Sequence, residues 1–316
     1  VNNDKGRPRI GLALGGGGAR GYAHVGVIKA LLEAGIPIDI IAGTSMGAVV
    51  GAAYAAGCGV DEMEGLVSKM RWKRMAGLVD LVIPYQGVIN GTRLEKFFSV
   101  LTGGKEFGQL EKPLIVVATD IPSGEEVRIN SGSVATALRA STAVPGIFCP
   151  VTTIEPYVLV DGSVSTPVPV KALREAGAEV IIAIDVCSPV DRAELLMQVL
   201  KWWKEVPSAK AQRIIDNQNL VRFPKPSLPA SVKIVDRSLE LNNQYKKFLS
   251  DEEPHPNNCV LVKPEVEDVR WFEFYKAAKC IQTGESAGRQ AIDKIKALLK
   301  QRDVNWLTKS SLLNIV

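Results

Sequence analysis

Gly43-Thr44-Ser45-Met46-Gly47 fits the pattern GxSxG, with an apolar run before it and a small-residue helical pattern after it. A serine between two glycines at a strand-to-helix turn sits on a sharp, strained corner. That corner lifts the hydroxyl above the sheet, beside the N-terminus of the next helix. This is where a nucleophile belongs, and Ser45 is the candidate. One strand earlier, Gly15-Gly16-Gly17-Gly18 and then Ala19, Arg20 and Gly21 follow another short apolar run. Consecutive glycines let backbone N–H groups converge on one point, and the following helix brings its positive end to it. Such a loop can hold a phosphate or the oxyanion of a tetrahedral intermediate. Arg20 supplies a fixed charge or pins the loop. Residues 16–21 also match GxGxxG, but a dinucleotide site needs an acidic residue at the end of the second strand. Asp39 stands at that strand's start, and its end reads Ala42-Gly43-Thr44-Ser45. No GK[ST] follows the glycines, which excludes a Walker A loop.

A serine hydroxyl needs a base. The chain has two histidines, His24 and His255. His24 falls inside the first helix, just behind the glycine loop, and His255 lies in the polar run PHPNN. Neither is placed like the late-chain base of an α/β-hydrolase. Asp161 is the better candidate, because it follows the apolar run Tyr157 to Val160 and precedes Gly162, which permits a tight turn. A carboxylate is a weak base, with an ordinary pKa near ~3.9. It serves if it touches the serine hydroxyl directly and an oxyanion hole carries much of the barrier. The competing reading of Asp161-Gly162 is a plain turn.

The elements that must position these groups follow from pattern. Arg9 to Leu14 predicts a buried strand and Tyr22 to Ala34 a helix capped by Gly35. Ile38 to Ala42 predicts a second strand, and Met46 to Ala56 a helix closed by Gly57 and Gly59. Strand, loop, helix, strand, turn, helix describes a parallel sheet covered by helices. Both candidate loops then open at the carboxyl ends of parallel strands, where such folds place their sites. Further strands are expected at Leu114 to Thr119, Glu126 to Ile129 and Val180 to Asp185, with helices at Val134 to Ala140 and Lys171 to Ala176. Phe148 to Ile154 and Tyr157 to Val160 suggest a hairpin around Glu155-Pro156, and Phe272 to Lys279 and Ser286 to Leu299 two closing helices.

Composition bounds the function classes. The chain has 316 residues, 46 % of them apolar and 23 % charged, which excludes a disordered or fibrous chain. The net charge of +4 is too small to argue for nucleic acid. Five dispersed cysteines without a CxxC argue against zinc and a disulfide framework, and suit a reducing compartment. The start, VNNDKGRPR, carries no secretory signal, although a trimmed leader is compatible with it. Ile40 to Val60 is uncharged and long enough to span a bilayer, and Gly43, Gly47 and Gly51 have helix-pairing spacing. Its small residues fit a buried strand, turn and helix better.

At this point the chain resembles the patatin-like phospholipases, in the bacterial branch related to the catalytic domain of neuropathy target esterase. The likeness rests on GGGARG, GTSMG and DG in that order, together with RASTAVPGIFCPV at 139–151, VLVDG at 158–162 and PVPV before a helix. It covers Arg9 to Val186. It implies a three-layer α/β/α fold with a mostly parallel sheet and a Ser–Asp dyad without histidine, the nucleophile at Ser45 and the base at Asp161. It implies oxyanion donors at Gly17 and Gly18, with Gly16, Arg20, Gly21, Gly43, Gly47 and Gly162 supporting the three motifs. The family's third motif usually reads DGG or DGA, whereas this chain has Ser163 after Asp161-Gly162. The implied activity is ester hydrolysis on acyl lipids, without metal or cofactor. The same dyad suits an acyltransferase or thioesterase, and outside enzymes the glycine loop suits a binding module for a phosphate ligand.

The expected organisation is a tail at 1–8, a catalytic domain at 9–189, a mainly helical part at 190–302 packed on that domain, and a tail or docking arm at 303–316. A lipid ester must leave a membrane or micelle to reach Ser45. Residues 70–84 and 195–206 combine basic and bulky apolar side chains, Trp202 and Trp203 among them, as interfacial segments do. Packing on the core is the alternative for both. The expected setting is the cytoplasm or a membrane periphery, in a bacterium.

Overall fold

The computed structural model describes residues 7–68, 89–187 and 257–313. The interfacial candidates at 70–84 and 195–206, and His255, lie outside the described residues.

A seven-stranded sheet organises the chain. Its strands are β1 (Ile10–Leu14), β2 (Ile40–Thr44), β3 (Leu114–Asp120), β4 (Glu126–Ile129), β5 (Leu159–Asp161), β6 (Val180–Ile184) and β7 (Cys259–Val262). The spatial order is β4-β3-β2-β1-β6-β7, with β5 also on β3. Strands β3, β2, β1, β6 and β7 run parallel, and β4 and β5 pair antiparallel with β3. Described helices are α1 (Ala23–Glu33), α2 (Met46–Ala55), α3 (Val60–Ser68), α4 (Thr92–Leu101), α5 (Val134–Ser141), α6 (Val170–Glu175) and α7 (Ala277–Leu313).

The central strands are buried throughout and mostly apolar because both faces are covered. Alternate residues go to opposite sides. Leu12, Leu14, Ile41, Val116, Ala118, Ile182 and Ile184 join the larger core with α1, α2, α5 and α7. Ala13, Ala42, Ile115, Val117, Ile181 and Ala183 meet Ala172 and Leu173 of α6 on the other face. The result is a three-layer α/β/α fold with a mostly parallel sheet. Residues 40–60 are thus strand β2, a turn and α2, and among the described residues no helix is long and apolar enough to cross a membrane.

Two expectations need correction. The two closing helices are one, α7. Gly284 and Gly288 within it are contact points with α1. A Cβ on Gly284 would lie 2.0 Å from the Ala23 carbonyl oxygen, and one on Gly26 of α1 2.0 Å from that of Ile281. The glycines let α1 and α7 approach backbone to backbone. The hairpin around Glu155-Pro156 reduces to one bridge, Val151 with Leu159, because the second run leaves to pair with β3. The part after residue 190 also contributes β7, on the far side of β6. Its four residues are too few for a periodicity, and pairing with a distant strand is what makes them extended.

Candidate active site

Strand β3 brings the serine and the aspartate together. Strand β2 lies along it with Thr44 opposite Val117, and β5 lies along it with Asp161 opposite Ala118. Strand β4 occupies the other edge of β3 from Val116 to Thr119, so β5 continues the edge that β2 leaves. Ser45 and Asp161, 116 residues apart, are thereby placed side by side, and Ser45 Oγ donates to Asp161 Oδ2 at 2.6 Å.

The corner at Ser45 is sharp. Its φ of 52° and ψ of −123° make it the one non-glycine residue with positive φ among those described. Such backbone costs about 1–3 kcal/mol and persists only where its surroundings fix it. The Ser45 N–H donates to Ser141 Oγ at 2.8 Å, and that hydroxyl donates to the Val117 carbonyl at 2.6 Å. Thr44 Oγ1 donates to the Thr166 carbonyl. The flanking glycines are required by close approach. A Cβ on Gly43 would stand 2.4 Å from Ala48 Cα, and one on Gly47 2.2 Å from the Leu14 carbonyl oxygen. Helix α2 starts directly after Ser45 and turns its positive end toward it.

Asp161 is almost fully buried, at 4 % exposure. Burial raises its pKa above the ordinary carboxylate value, while hydrogen bonds from the Ser45 hydroxyl and from the Ser163 N–H and hydroxyl pull it back. The Ser163 N–H donates to Oδ1 at 2.8 Å, which leaves Oδ2 to Ser45. Its main chain is pinned as well. The Asp161 N–H donates to the Ala143 carbonyl, and Thr119 Oγ1 donates to the Asp161 carbonyl. A Cβ on Gly162 would collide with the Val117 carbonyl oxygen, which accounts for glycine there.

The glycine loop lies against this pair. A Cβ on Gly16 would stand 3.4 Å from Ser45 Cβ and run into Ser163 Oγ, and one on Gly21 would run into Met46. Gly18 has a φ of +57° and passes so near Trp271 that a side chain there would strike its carbonyl oxygen. The N–H groups of Gly15, Gly16, Ala19 and Arg20 are bonded to Ile184, Pro167, Trp271 and Gly17. Those of Gly17 and Gly18 meet no acceptor among the described residues. Arg20 pins the loop, its Nε donating to the Val269 carbonyl at 2.6 Å.

His24 is fully buried and bonds the Gly15 carbonyl through Nε2 at 2.7 Å, so Nε2 carries the hydrogen. Burial lowers its pKa to about 4, which keeps the ring neutral, and no ring nitrogen bonds Ser45. Sequence reasoning missed Ser141 and the second donor role of Ser163. Ser141 lies in RASTAVPG, and nothing in that run separates its hydroxyl from its neighbours. Among the described residues no group of three His, Cys, Asp or Glu could hold a metal ion. A cavity of about 1240 Å³ along β4 is lined in part by Ser165 and Thr166 but by neither Ser45 nor Asp161.

A family model described as patatin-like phospholipase matches residues 12–174, the span that holds the glycine loop, Ser45 and Asp161. The chain belongs to this family. An NTE family protein of Mycobacterium tuberculosis is 38 % identical over 177 residues, 56 % of this chain and 49 % of that protein. A lysophospholipase of Aspergillus fumigatus is 30 % identical over 296 residues, 91 % of this chain and 18 % of that protein. This patatin-like chain therefore spans about half the length of the mycobacterial relative and under a fifth of the fungal one. Among solved structures, VipD from Legionella pneumophila is similar with a TM-score of 0.45 and 15 % identity over 91 % of this chain and 67 % of that one.

Proposed function

We propose that this chain is a serine esterase of the phospholipase A or lysophospholipase type, cleaving acyl-ester lipids through an acyl-enzyme on Ser45. The observation that carries the reading is the 2.6 Å contact of Ser45 Oγ with the buried carboxylate of Asp161. Family membership and the name of the fungal relative support the substrate class.

In the first half-reaction Asp161 Oδ2 takes the hydroxyl proton as Ser45 Oγ attacks the ester carbonyl carbon. Negative charge moves to the carbonyl oxygen, where the N–H groups of Gly17 and Gly18 and the N-terminus of α2 oppose it. The intermediate collapses, the C–O bond to the alcohol breaks, and the departing alkoxide takes the proton from Asp161. In the second half a water attacks the acyl-enzyme and loses its proton to Asp161. The fatty acid leaves, and Ser45 Oγ regains the proton. Burial serves the base directly, since a raised pKa gives the carboxylate more affinity for the proton it must accept.

A fluorophosphonate probe tests the nucleophile: the wild type is expected to label and Ser45→Ala not. Products from a panel of lysophospholipid, diacyl phospholipid and triglyceride test the substrate class, with fatty acid release from a phospholipid expected. Equal labelling of both proteins, or a folded wild type that releases no fatty acid from any of the three, contradicts the proposal.

A further inference from the structure

Two side chains outside the dyad grip the glycine loop by its carbonyls. Cys187, three residues beyond β6, donates its S–H to the Gly16 carbonyl oxygen at 3.0 Å. His24 in α1 donates Nε2–H to the Gly15 carbonyl oxygen at 2.7 Å. The peptide linking Gly16 to Gly17 is trans, so its carbonyl and its N–H point in opposite directions. Fixing the Gly16 oxygen at Cys187 therefore fixes the direction of the Gly17 N–H. The preceding peptide is held at both ends, its oxygen by His24 and its N–H by the Pro167 carbonyl. A run of four glycines has more backbone freedom than any other sequence and loses more entropy on ordering. Aiming a free N–H from such a loop requires restraints of this kind. Both donors keep their hydrogens at working pH: the thiol, beside Asp185 and Asp161, is pushed well above its ordinary pKa by burial, and the imidazole stays neutral with its hydrogen on Nε2. Cys187 is itself anchored, its N–H donating to Asp185 Oδ1 at 2.8 Å.

We propose that Cys187 and His24 are positioning residues for the oxyanion site, holding the carbonyls of Gly16 and Gly15 so that the Gly17 N–H faces the carbonyl oxygen of an ester at Ser45. This rests on the esterase reading above. Neither residue touches substrate, and their effect passes through the loop. Removing an oxyanion donor costs about 10²–10³ in kcat, and misaiming one costs less, about 10- to 100-fold.

The test compares 4-nitrophenyl butyrate with its thionoester analogue, whose C=S carbon receives the same attack but whose developing thiolate accepts hydrogen bonds poorly. The readout is the oxo/thiono ratio of kcat, measured on one preparation so that the folded fraction cancels. Cys187→Ala and His24→Leu are each expected to lower kcat on the oxo ester, leave KM within about twofold, and shrink the ratio about tenfold. Cys187→Ser and His24→Gln, which keep a donor, are expected to recover most of both losses. An unchanged ratio in one removal variant takes that residue out of the clamp, and an unchanged ratio in both overturns the proposal. A wild type no faster than Ser45→Ala on the oxo ester overturns the esterase reading itself, and the clamp with it.

Discussion

The strained corner at Ser45 makes a stability prediction that is independent of activity. Ser45→Ala and Ser45→Gly both delete the hydroxyl that donates to Asp161 Oδ2, so that loss cancels when the two variants are compared. What remains is the backbone. At an ordinary buried position, exchanging alanine for glycine costs about 0.4–1 kcal/mol through the unfolded chain. Exposing the space of one buried methyl costs about 0.8 kcal/mol more. The total is roughly 1–2 kcal/mol. At position 45 alanine keeps the Cβ that makes a φ of 52° with a ψ of −123° expensive, and glycine removes it. Release of about 1–3 kcal/mol of strain then offsets the usual loss. On these figures Ser45→Gly is expected between about 1 kcal/mol below and about 2 kcal/mol above Ser45→Ala in stability, centred about 0.5 kcal/mol above it. Ala48→Gly, in the buried first turns of α2, is the control and is expected to show the ordinary loss. Thermal melts at one pH and salt read both, with 1–2 kcal/mol corresponding to roughly 1.5–3 °C at this size. If Ser45→Gly melts below Ser45→Ala by the margin that separates Ala48→Gly from the wild type, the corner holds no strain and the reasoning fails.

Further expectations concern the acid and the helix contact. Asp161→Asn is expected to lower kcat/KM about 10²–10⁴-fold, because the amide cannot accept the Ser45 proton; a smaller loss in a steady-state assay would displace Asp161 as the base. Above its raised pKa the buried carboxylate is ionised at a cost to the fold, so the same exchange is expected to raise the melting midpoint at neutral pH, and a lower midpoint would contradict the burial argument. The acid limb of the kcat/KM–pH profile is expected above the ordinary aspartate range. Ser163→Ala is expected to move it further up, since the hydroxyl is one of the groups that lower this pKa; an unmoved or lowered limb would refute that role. Gly284→Ala is expected to lower stability by about 1–3 kcal/mol through overpacking against the Ala23 carbonyl, reversing the sign of the ~1 kcal/mol gain from helix propensity alone. A melt that rises would show that α1 and α7 can separate at little cost.

The parts of the site that were legible in the sequence are those whose backbone geometry forces a residue type. Gly43 and Gly47 are dictated by contacts with their own turn and with β1, so the GxSxG pattern carried its meaning locally. Gly162 likewise marked the turn after Asp161. The supporting side chains carried no such mark. Ser141 bonds the Ser45 N–H because α5 and β3 happen to meet there, and the chain has many serines in similar surroundings. His24 was visible as a helix residue near the loop, but its partner, the Gly15 carbonyl, depends on how that loop folds back. The reason for Gly284 and Gly288 lies on α1, whereas helix propensity speaks only of the helix itself. The pairing of Ser45 with Asp161 could be argued from chemistry but not from pattern, and β3 shows why. Strand β5 is three residues long, too short to announce its register. With a side-chain period of two, sliding β5 by one position along β3 would turn Asp161 to the opposite face and away from Ser45. The register is held instead by the Asp161 N–H on Ala143, by Thr119 on the Asp161 carbonyl, and by the contact of Gly162 with Val117. Each is a bond or contact to an element far away in the sequence. The chemistry of the dyad therefore depends, besides its two residues, on a strand that contributes no side chain to the reaction.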